Sequence, residues 1–253
     1  MSQDAALREG AKALGVELTE RQCERLLAYG ALILKWNKVY NLTALRDPSL
    51  VLTHHLLDSL SVIEPLRREK PAATRTAHGA GAGTGTGTGA GPGQGDAERM
   101  RLIDVGAGVG LPGVVIAILR DDIHVTCVDA VAKKAAFVQQ VAVELGLPNL
   151  RGLHARVETL SGAYDVVSCR AFASLVDFCD GSRQLLATTG VWMAMKGRMP
   201  DEEMAALSAD VDVFHVEPLR VPGLDAERCL VWARARTASS RCLLPGPGGE
   251  CST

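Results

Sequence analysis

The residues best suited to chemistry lie in one run, Asp104-Val105-Gly106-Ala107-Gly108-Val109-Gly110. A β-type segment, Leu102 to Val105, leads into it, and a helical pattern starting at Pro112 follows. In doubly wound folds a strand that ends in glycines and opens into a helix is where nucleotides bind, because ligands lie beyond the carboxyl ends of the strands. Glycine has no Cβ, so the backbone can come close to a ligand there. Dinucleotide sites favour G-x-G-x-x-G with the pyrophosphate on the helix N-terminus. Here the third glycine comes one residue early, at Gly110, and Leu111 stands where that fingerprint has glycine. Asp129 ends the next strand, where a carboxylate can accept hydrogen bonds from both hydroxyls of a ribose.

A G-x-G-x-G turn after an acidic residue resembles motif I of class I methyltransferases, whose cofactor is S-adenosylmethionine. Asp129 argues for a nucleoside more than for a sulfonium, since nicotinamide enzymes share that acid, and a tight connection without a ligand is the plain alternative. Val157 and Glu158, beyond the third strand, stand where class I methyltransferases read the adenine edge; a backbone amide and a carboxylate complement its ring nitrogen and exocyclic amine. Glu158 reads equally as an exposed residue at a helix start. The fourth strand, Tyr164 to Ser168, runs into Cys169-Arg170-Ala171-Phe172-Ala173-Ser174. No proline-rich NPPY-type motif follows it, which disfavours an exocyclic nitrogen as acceptor. Cys169 is placed where cytosine C5 enzymes keep a nucleophilic thiol, but the usual preceding proline is missing.

These residues need a scaffold, and the texture from Arg101 onward supplies one. Short β-rich runs at Leu102 to Val105, His124 to Val128, Arg151 to His154, Tyr164 to Ser168 and Val191 to Met195 alternate with helical patterns at Pro112 to Leu119, Lys133 to Leu145 and Leu175 to Leu186. Such alternation calls for an α/β fold, a mostly parallel sheet with helices on both faces. A small helical region precedes it over residues 1–70. There Thr19 and Gln22 have capping-box spacing, Leu26, Tyr29, Gly30, Ile33 and Leu34 form an apolar stripe, and Ser49 is expected to cap a helix with Leu50, Leu57 and Leu60 facing inward. Over 71–97, glycine takes every odd position from Gly79 to Gly95. This stretch has little to bury and reads as a flexible insert spanning on the order of 25 to 30 Å. The methyltransferase-like domain is expected over 98–236, and the tail over 237–253 as disordered.

With 253 residues, 47% of them hydrophobic, the chain can bury a full core. Seven cysteines form no metal-type pairs, so reduced buried thiols and no metal are expected. No run is long and apolar enough for a membrane span or a signal peptide, so a cytoplasmic protein is expected. A formal charge of −2 does not advertise a nucleic-acid binder, although a local basic patch would suffice.

The run Lys35-Trp36-Asn37-Lys38-Val39-Tyr40-Asn41-Leu42-Thr43, then His55-Leu56-Leu57-Asp58-Ser59, DVGAGVGLPG, SCRAFAS and MKG resemble successive signatures of the bacterial RsmG (GidB) family. The likeness runs from about Thr19 to Arg236, broken by the insert. It implies the class I methyltransferase (Rossmann-like) fold, S-adenosylmethionine as cofactor, and methylation of guanine N7 in the 16S rRNA of the small ribosomal subunit, at guanosine 527, by a monomer. It further implies cofactor contacts from Gly106, Gly108, Leu111, Asp129, Val157, Glu158 and Arg170, with Arg170 and Lys196 at the reacting groups and Arg228 as another candidate cation. The sequence departs from the family at His54, where a Lys or Arg is common, and in its insert and tail. Lys35, Lys38, Arg46, His54 and His55, with Trp36 and Tyr40 nearby, are candidates for a basic RNA-facing edge. A guanine N7 has an in-plane lone pair and no proton, which suits a site without an evident general base. Alternatives are a class I methyltransferase for another RNA or a small metabolite, a nicotinamide oxidoreductase, and a non-catalytic RNA-binding module.

Overall fold

The computed structural model describes residues 2–69, 99–172 and 174–236. The expected insert over 71–97 and tail over 237–253 lie outside the described residues, as do Cys242 and Cys251.

Helix α1 spans Gln3–Ala13 and α2 spans Glu20–Tyr40. The start of α2 is the capping box expected from the spacing: the Thr19 hydroxyl accepts from the Gln22 amide at 3.3 Å, and the Gln22 side chain accepts from the Thr19 amide at 3.0 Å. Its stripe of Leu26, Tyr29 and Ile33 is fully buried. Helix α3, Pro48–Val51, is capped by Asp47 rather than by Ser49, whose own amide donates to Asp47 at 2.7 Å. Pro48 takes the first helical position, where its missing N–H costs nothing. The chain then widens into a π turn over Leu52–Leu57 before α4, Asp58–Leu60, and α5, Ile63–Arg68. That widening rotates later residues away from a plain helical extrapolation. Leu57 and Leu60 are accordingly buried, while Leu50, expected to face inward, is 41% exposed.

Seven strands form one sheet: β1 Met100–Val105, β2 Ile123–Asp129, β3 Leu150–His154, β4 Tyr164–Arg170, β5 Leu186–Lys196, β6 Val211–Pro218 and β7 Cys229–Ala235. Their spatial order is β3-β2-β1-β4-β5-β7-β6. The first five in that order pair in parallel, while β7 runs antiparallel to both β5 and β6. All five strands expected from the sequence are present, and β6 and β7 are additional. The connecting helices are α6 Gly113–Leu119, α7 Ala132–Glu144, α8 Leu175–Ser182 and α9 Asp201–Ala205. The helix expected over Leu175 to Leu186 stops at Ser182; a 3-10 turn follows over Arg183–Leu185, and Leu186 already opens β5.

Successive strand residues face opposite sides of the sheet. Leu102 therefore joins the apolar cluster containing Leu26, Tyr29, Ile118 and Phe137, while Ile103 joins the one containing Phe178 and Trp192. The first cluster unites the N-terminal helices with α6 and α7 in one continuous core. All seven residues of α6 are buried, because it lies between the sheet on one side and α2 and α4 on the other.

The chain builds β1, β2 and β3 outward in one direction and then returns to place β4 on the far side of β1. That reversal opens a crevice at the carboxyl ends of β1 and β4, where α/β sheets bind ligands. Because β7 is antiparallel, its first residue, Cys229, sits beside Lys196 at the end of β5. Arg228 is thereby brought to the same edge.

Candidate active site

A cavity of about 1100 Å³ opens at this edge of the sheet. Its floor is the glycine turn, with Gly106, Gly108 and Gly110 at φ values of 63°, 62° and 92°. L side chains rarely adopt such conformations. At Gly110 a Cβ would also fall 2.5 Å from a Val114 methyl carbon, so the third glycine, one residue earlier than in a dinucleotide fingerprint, is fixed by the packing of α6. A Cβ on Gly108 would meet nothing within 4 Å and would project into open space beside the cavity. The turn is tied down from both sides: the Ala107 amide donates to the Val128 carbonyl at 3.1 Å, and the buried Tyr29 hydroxyl donates to the Val109 carbonyl at 2.7 Å.

Asp104 begins the motif but does not reach the cavity. Its carboxylate is fully buried, accepting from the Gly113 amide at 3.0 Å and from the Ser168 hydroxyl at 2.9 Å. Burial raises its pKa to about 6, opposed by those two hydrogen bonds. Asp104 thus joins the glycine turn to the start of α6 and to β4. Asp129, at the end of β2, is 8% exposed; it accepts from the Gly108 amide at 3.0 Å and from the Val131 amide at 2.8 Å, with Lys134 Nζ at 3.9 Å. This carboxylate is anchored against the turn at the carboxyl end of β2.

Of the residues expected at the site, Gly106, Gly108, Leu111, Arg170 and Lys196 line the cavity together with Arg228, and Asp129 adjoins it through Gly108. Val157 and Glu158 do not line it. They occupy a 3-10 turn, Val157–Thr159, after β3, with the Val157 side chain buried in the core and Glu158 exposed. Lys196 is engaged by Glu203 of α9 at 2.7 Å.

Arg170 and Arg228 converge on Asp58, the one charged residue of the run Leu56-Leu57-Asp58-Ser59-Leu60. Arg170 Nη1 donates to Asp58 Oδ2 and to the His54 carbonyl, each at 3.0 Å, and Arg228 Nε donates to Asp58 Oδ1 at 2.8 Å. The Asp58 side chain is 3% exposed. A carboxylate buried within Leu-Leu-Asp-Ser-Leu carries its own signal, since an unpaired buried charge is costly and implies cationic partners. What the sequence does not show is which partners, because they lie 112 and 170 residues away.

Several basic candidates change character in the structure. His55 is buried, within hydrogen-bond distance of Thr43 Oγ1 at 3.0 Å, and burial followed by the nearby Arg170 charge lowers its pKa to about 4. It is neutral at physiological pH and adds no charge to an RNA-facing edge. Lys35 and Lys38 are exposed on α2, and Arg46 donates to Asn41 at 3.1 Å. Trp36 packs against Phe137 with ring centroids 5.5 Å apart, whereas Tyr40 is 43% exposed. Cys169 is buried, and burial together with the Asp104 carboxylate holds its thiol protonated, so it is a packing residue rather than a nucleophile.

The chain matches a family model described as rRNA small subunit methyltransferase G (GidB) over residues 22–89 and 94–231. It is 59% identical over 233 residues to a ribosomal RNA small subunit methyltransferase G of Acidovorax ebreus (strain TPSY), covering 92% of this chain and 96% of the relative. It is 56% identical over 234 residues to the protein of that name from Polaromonas sp. (strain JS666), covering 92% and 94%. Among solved structures, TrmN from Thermus thermophilus matches at 20% identity with a TM-score of 0.46, over 54% of this chain and 44% of that one.

Proposed function

The chain belongs to the rRNA small subunit methyltransferase G family, and on that premise we propose that it transfers a methyl group from S-adenosylmethionine to N7 of one guanosine in 16S rRNA, as a cytoplasmic monomer. The observation that carries this reading is a cavity lined both by the glycine turn and by Arg170 and Arg228, two guanidinium groups that share the one Asp58 carboxylate, with Lys196 paired to Glu203 and with Arg198, Asp201 and Glu202 also in the lining. The bare turn suits a nucleoside cofactor, and the arginine pair, one positive charge in excess of its shared carboxylate, suits an anionic group.

The residues present fit the cofactor. The left-handed glycines leave the backbone bare where a nucleoside must approach, and Asp129 offers acceptor oxygens to ribose hydroxyls beside them. Gly106, Gly108, Leu111 and Asp129 would hold S-adenosylmethionine, with Arg170 toward its amino-acid end. When bound, the cofactor supplies a methyl group on a sulfonium centre, which a guanine N7 can accept without losing a proton.

The protein's task is therefore positioning rather than acid–base chemistry. His55 is neutral and linked to Thr43, Asp58 is engaged by two arginines, and Asp104 is sealed beneath the turn, so none is poised to take a proton, and an N7 acceptor demands that none be taken. Holding donor and acceptor in line is worth up to about 7–11 kcal/mol in favourable intramolecular models. Purified protein, small-subunit RNA or subunits, and cofactor with a labelled methyl group test the proposal. One 7-methylguanosine in 16S rRNA is expected. Intact cofactor binding with no label in the RNA would overturn the choice of substrate.

A further inference from the structure

We propose that Asp58 is a positioning residue that holds Arg170 and Arg228 together as one anion-binding fork on the cavity wall, made for a carboxylate or phosphate group. The inference rests on the reading of the cavity as a cofactor and RNA site, and it adds a third member and a ligand chemistry to that site.

The three residues come from distant parts of the chain. Asp58 opens α4 directly after the π turn, Arg170 ends β4, and Arg228 precedes β7. Each oxygen of the buried carboxylate takes one guanidinium, Oδ2 from Arg170 and Oδ1 from Arg228. The His54 carbonyl, within the π turn, accepts a second bond from Arg170 Nη1, and the Glu227 carbonyl accepts from Arg228 Nη1 at 2.8 Å. π turns recur at functional sites, where they re-aim backbone groups.

Two guanidinium groups facing one carboxylate leave one positive charge in excess. Removing that charge from water is expensive unless something anionic meets it. Among the described residues, Nε and Nη2 of Arg170 and Nη2 of Arg228 have no hydrogen-bond partner, and both side chains are only about a fifth exposed, at 21% and 23%. Both line the cavity. Guanidinium donors set side by side match a carboxylate or phosphate, which can accept from both at once. Without Asp58, two adjacent cations would repel and their side chains would lose a shared anchor.

Two anions could reach the fork: the carboxylate of the cofactor's amino-acid tail and a phosphate of the RNA. The strand order places Arg170 one strand beyond the glycine turn, on the side away from Asp129. A nucleoside lying from Asp129 across Gly106 would therefore carry its tail toward the fork, while RNA would approach it from the Arg228 side.

Calorimetry on the full chain separates these sources. S-adenosylhomocysteine has the tail, and 5′-methylthioadenosine lacks it. Asp58→Asn removes the charge and keeps the shape. If the fork grips the tail, the variant loses about tenfold or more in affinity for S-adenosylhomocysteine, as for a disrupted charge-assisted bond, with affinity for 5′-methylthioadenosine unchanged. If it grips a phosphate, both affinities hold, the KM for RNA rises, and its salt dependence becomes shallower. Either result supports the fork, and unchanged values for all three ligands overturn it. Should Asp58→Asn fail to fold by thermal melting, Arg228→Gln is read the same way, since it leaves the Arg170–Asp58 pair in place. Failure of the unsubstituted protein to bind either nucleoside would count against the cofactor reading itself.

Discussion

The Tyr29 hydroxyl reaches the Val109 carbonyl at 2.7 Å inside the core, so a helix from the first forty residues holds the middle of a glycine turn eighty residues further on. Burial keeps this phenol protonated, with its pKa well above the ordinary value, and it acts purely as a donor. Tyr29→Phe should leave the carbonyl without this donor and cost about 1–3 kcal/mol of stability. Affinity for S-adenosylhomocysteine should fall as well, because the turn loses its restraint. Denaturant unfolding and calorimetry on the same preparation check both, and unchanged affinity would mean that the turn is held by its own hydrogen bonds.

Gly106→Asp should abolish cofactor binding while the protein still melts cooperatively. The residue sits at φ 63°, and a Cβ there would lie 3.6 Å from the Phe172 ring, so a carboxylate added at this point enters the cavity. Near-normal binding of S-adenosylhomocysteine would place the cofactor elsewhere.

Asp104 and His55 should give opposing pH dependences of stability. The pKa of Asp104 is raised from 3.8 to about 6, so its contribution is fully present below the unfolded value and is lost as pH climbs through about 6. The pKa of His55 is lowered from 6.5 to about 4, so its contribution is present above 6.5 and is lost as pH falls through about 4. Each swing amounts to about 3 kcal/mol at 1.36 kcal/mol per pKa unit, and in the native protein the two largely offset. Asp104→Asn should therefore expose stability that rises between pH 4 and 6.5, and His55→Gln should expose stability that falls across the same range. Urea unfolding at several pH values reads both slopes; parallel curves for all three proteins would refute the assignment.

Cys169→Ala should leave the methylation rate unchanged, since the thiol is buried and held protonated. Its cost should appear only as stability, about 1 kcal/mol for a small core truncation. Complete loss of turnover in a folded Cys169→Ala protein would restore the nucleophile reading.

Reversing charge at Lys35 and Lys38 together should raise the KM for RNA and reduce its salt slope by about 1 for each phosphate contact removed. Both side chains are exposed on α2, so folding and cofactor affinity should hold. Identical salt dependence in the variant would take this face of α2 out of the RNA interface.

The parts legible in the sequence were those whose physics is local. The strand from Leu102 to Val105 is a buried parallel strand and reads as a short apolar run. Gly106, Gly108 and Gly110 reflect backbone angles that other residues resist, and Thr19 with Gln22 is complete within one turn. The start of α3 is ambiguous in the sequence because Asp47-Pro48-Ser49 holds two competent caps, and the proline at the first helical position decides for Asp47. The end of α8 is blurred in the sequence because a 3-10 turn keeps the helical pattern for three more residues. Strand β6, at the sheet edge, mixes Asp212, His215 and Glu217 with its apolar residues, and its pairing with β7 is set by a neighbour rather than by its own pattern. The Asp58 fork was hidden for the same reason: its meaning lies in partners that only the folded sheet brings near.

Helix α6 has no wet side, with the sheet beneath it and the opening helices above. An all-apolar cylinder of this kind cannot serve as the outside of a free-standing unit. The sheet half is therefore not a portable cassette: a chain started at β1 would uncover the apolar side of α6 that now lies against α2 and α4, a strip prone to self-association. Any replacement of the leading helices must bring its own matching lid, which ties the inheritance of the two halves together.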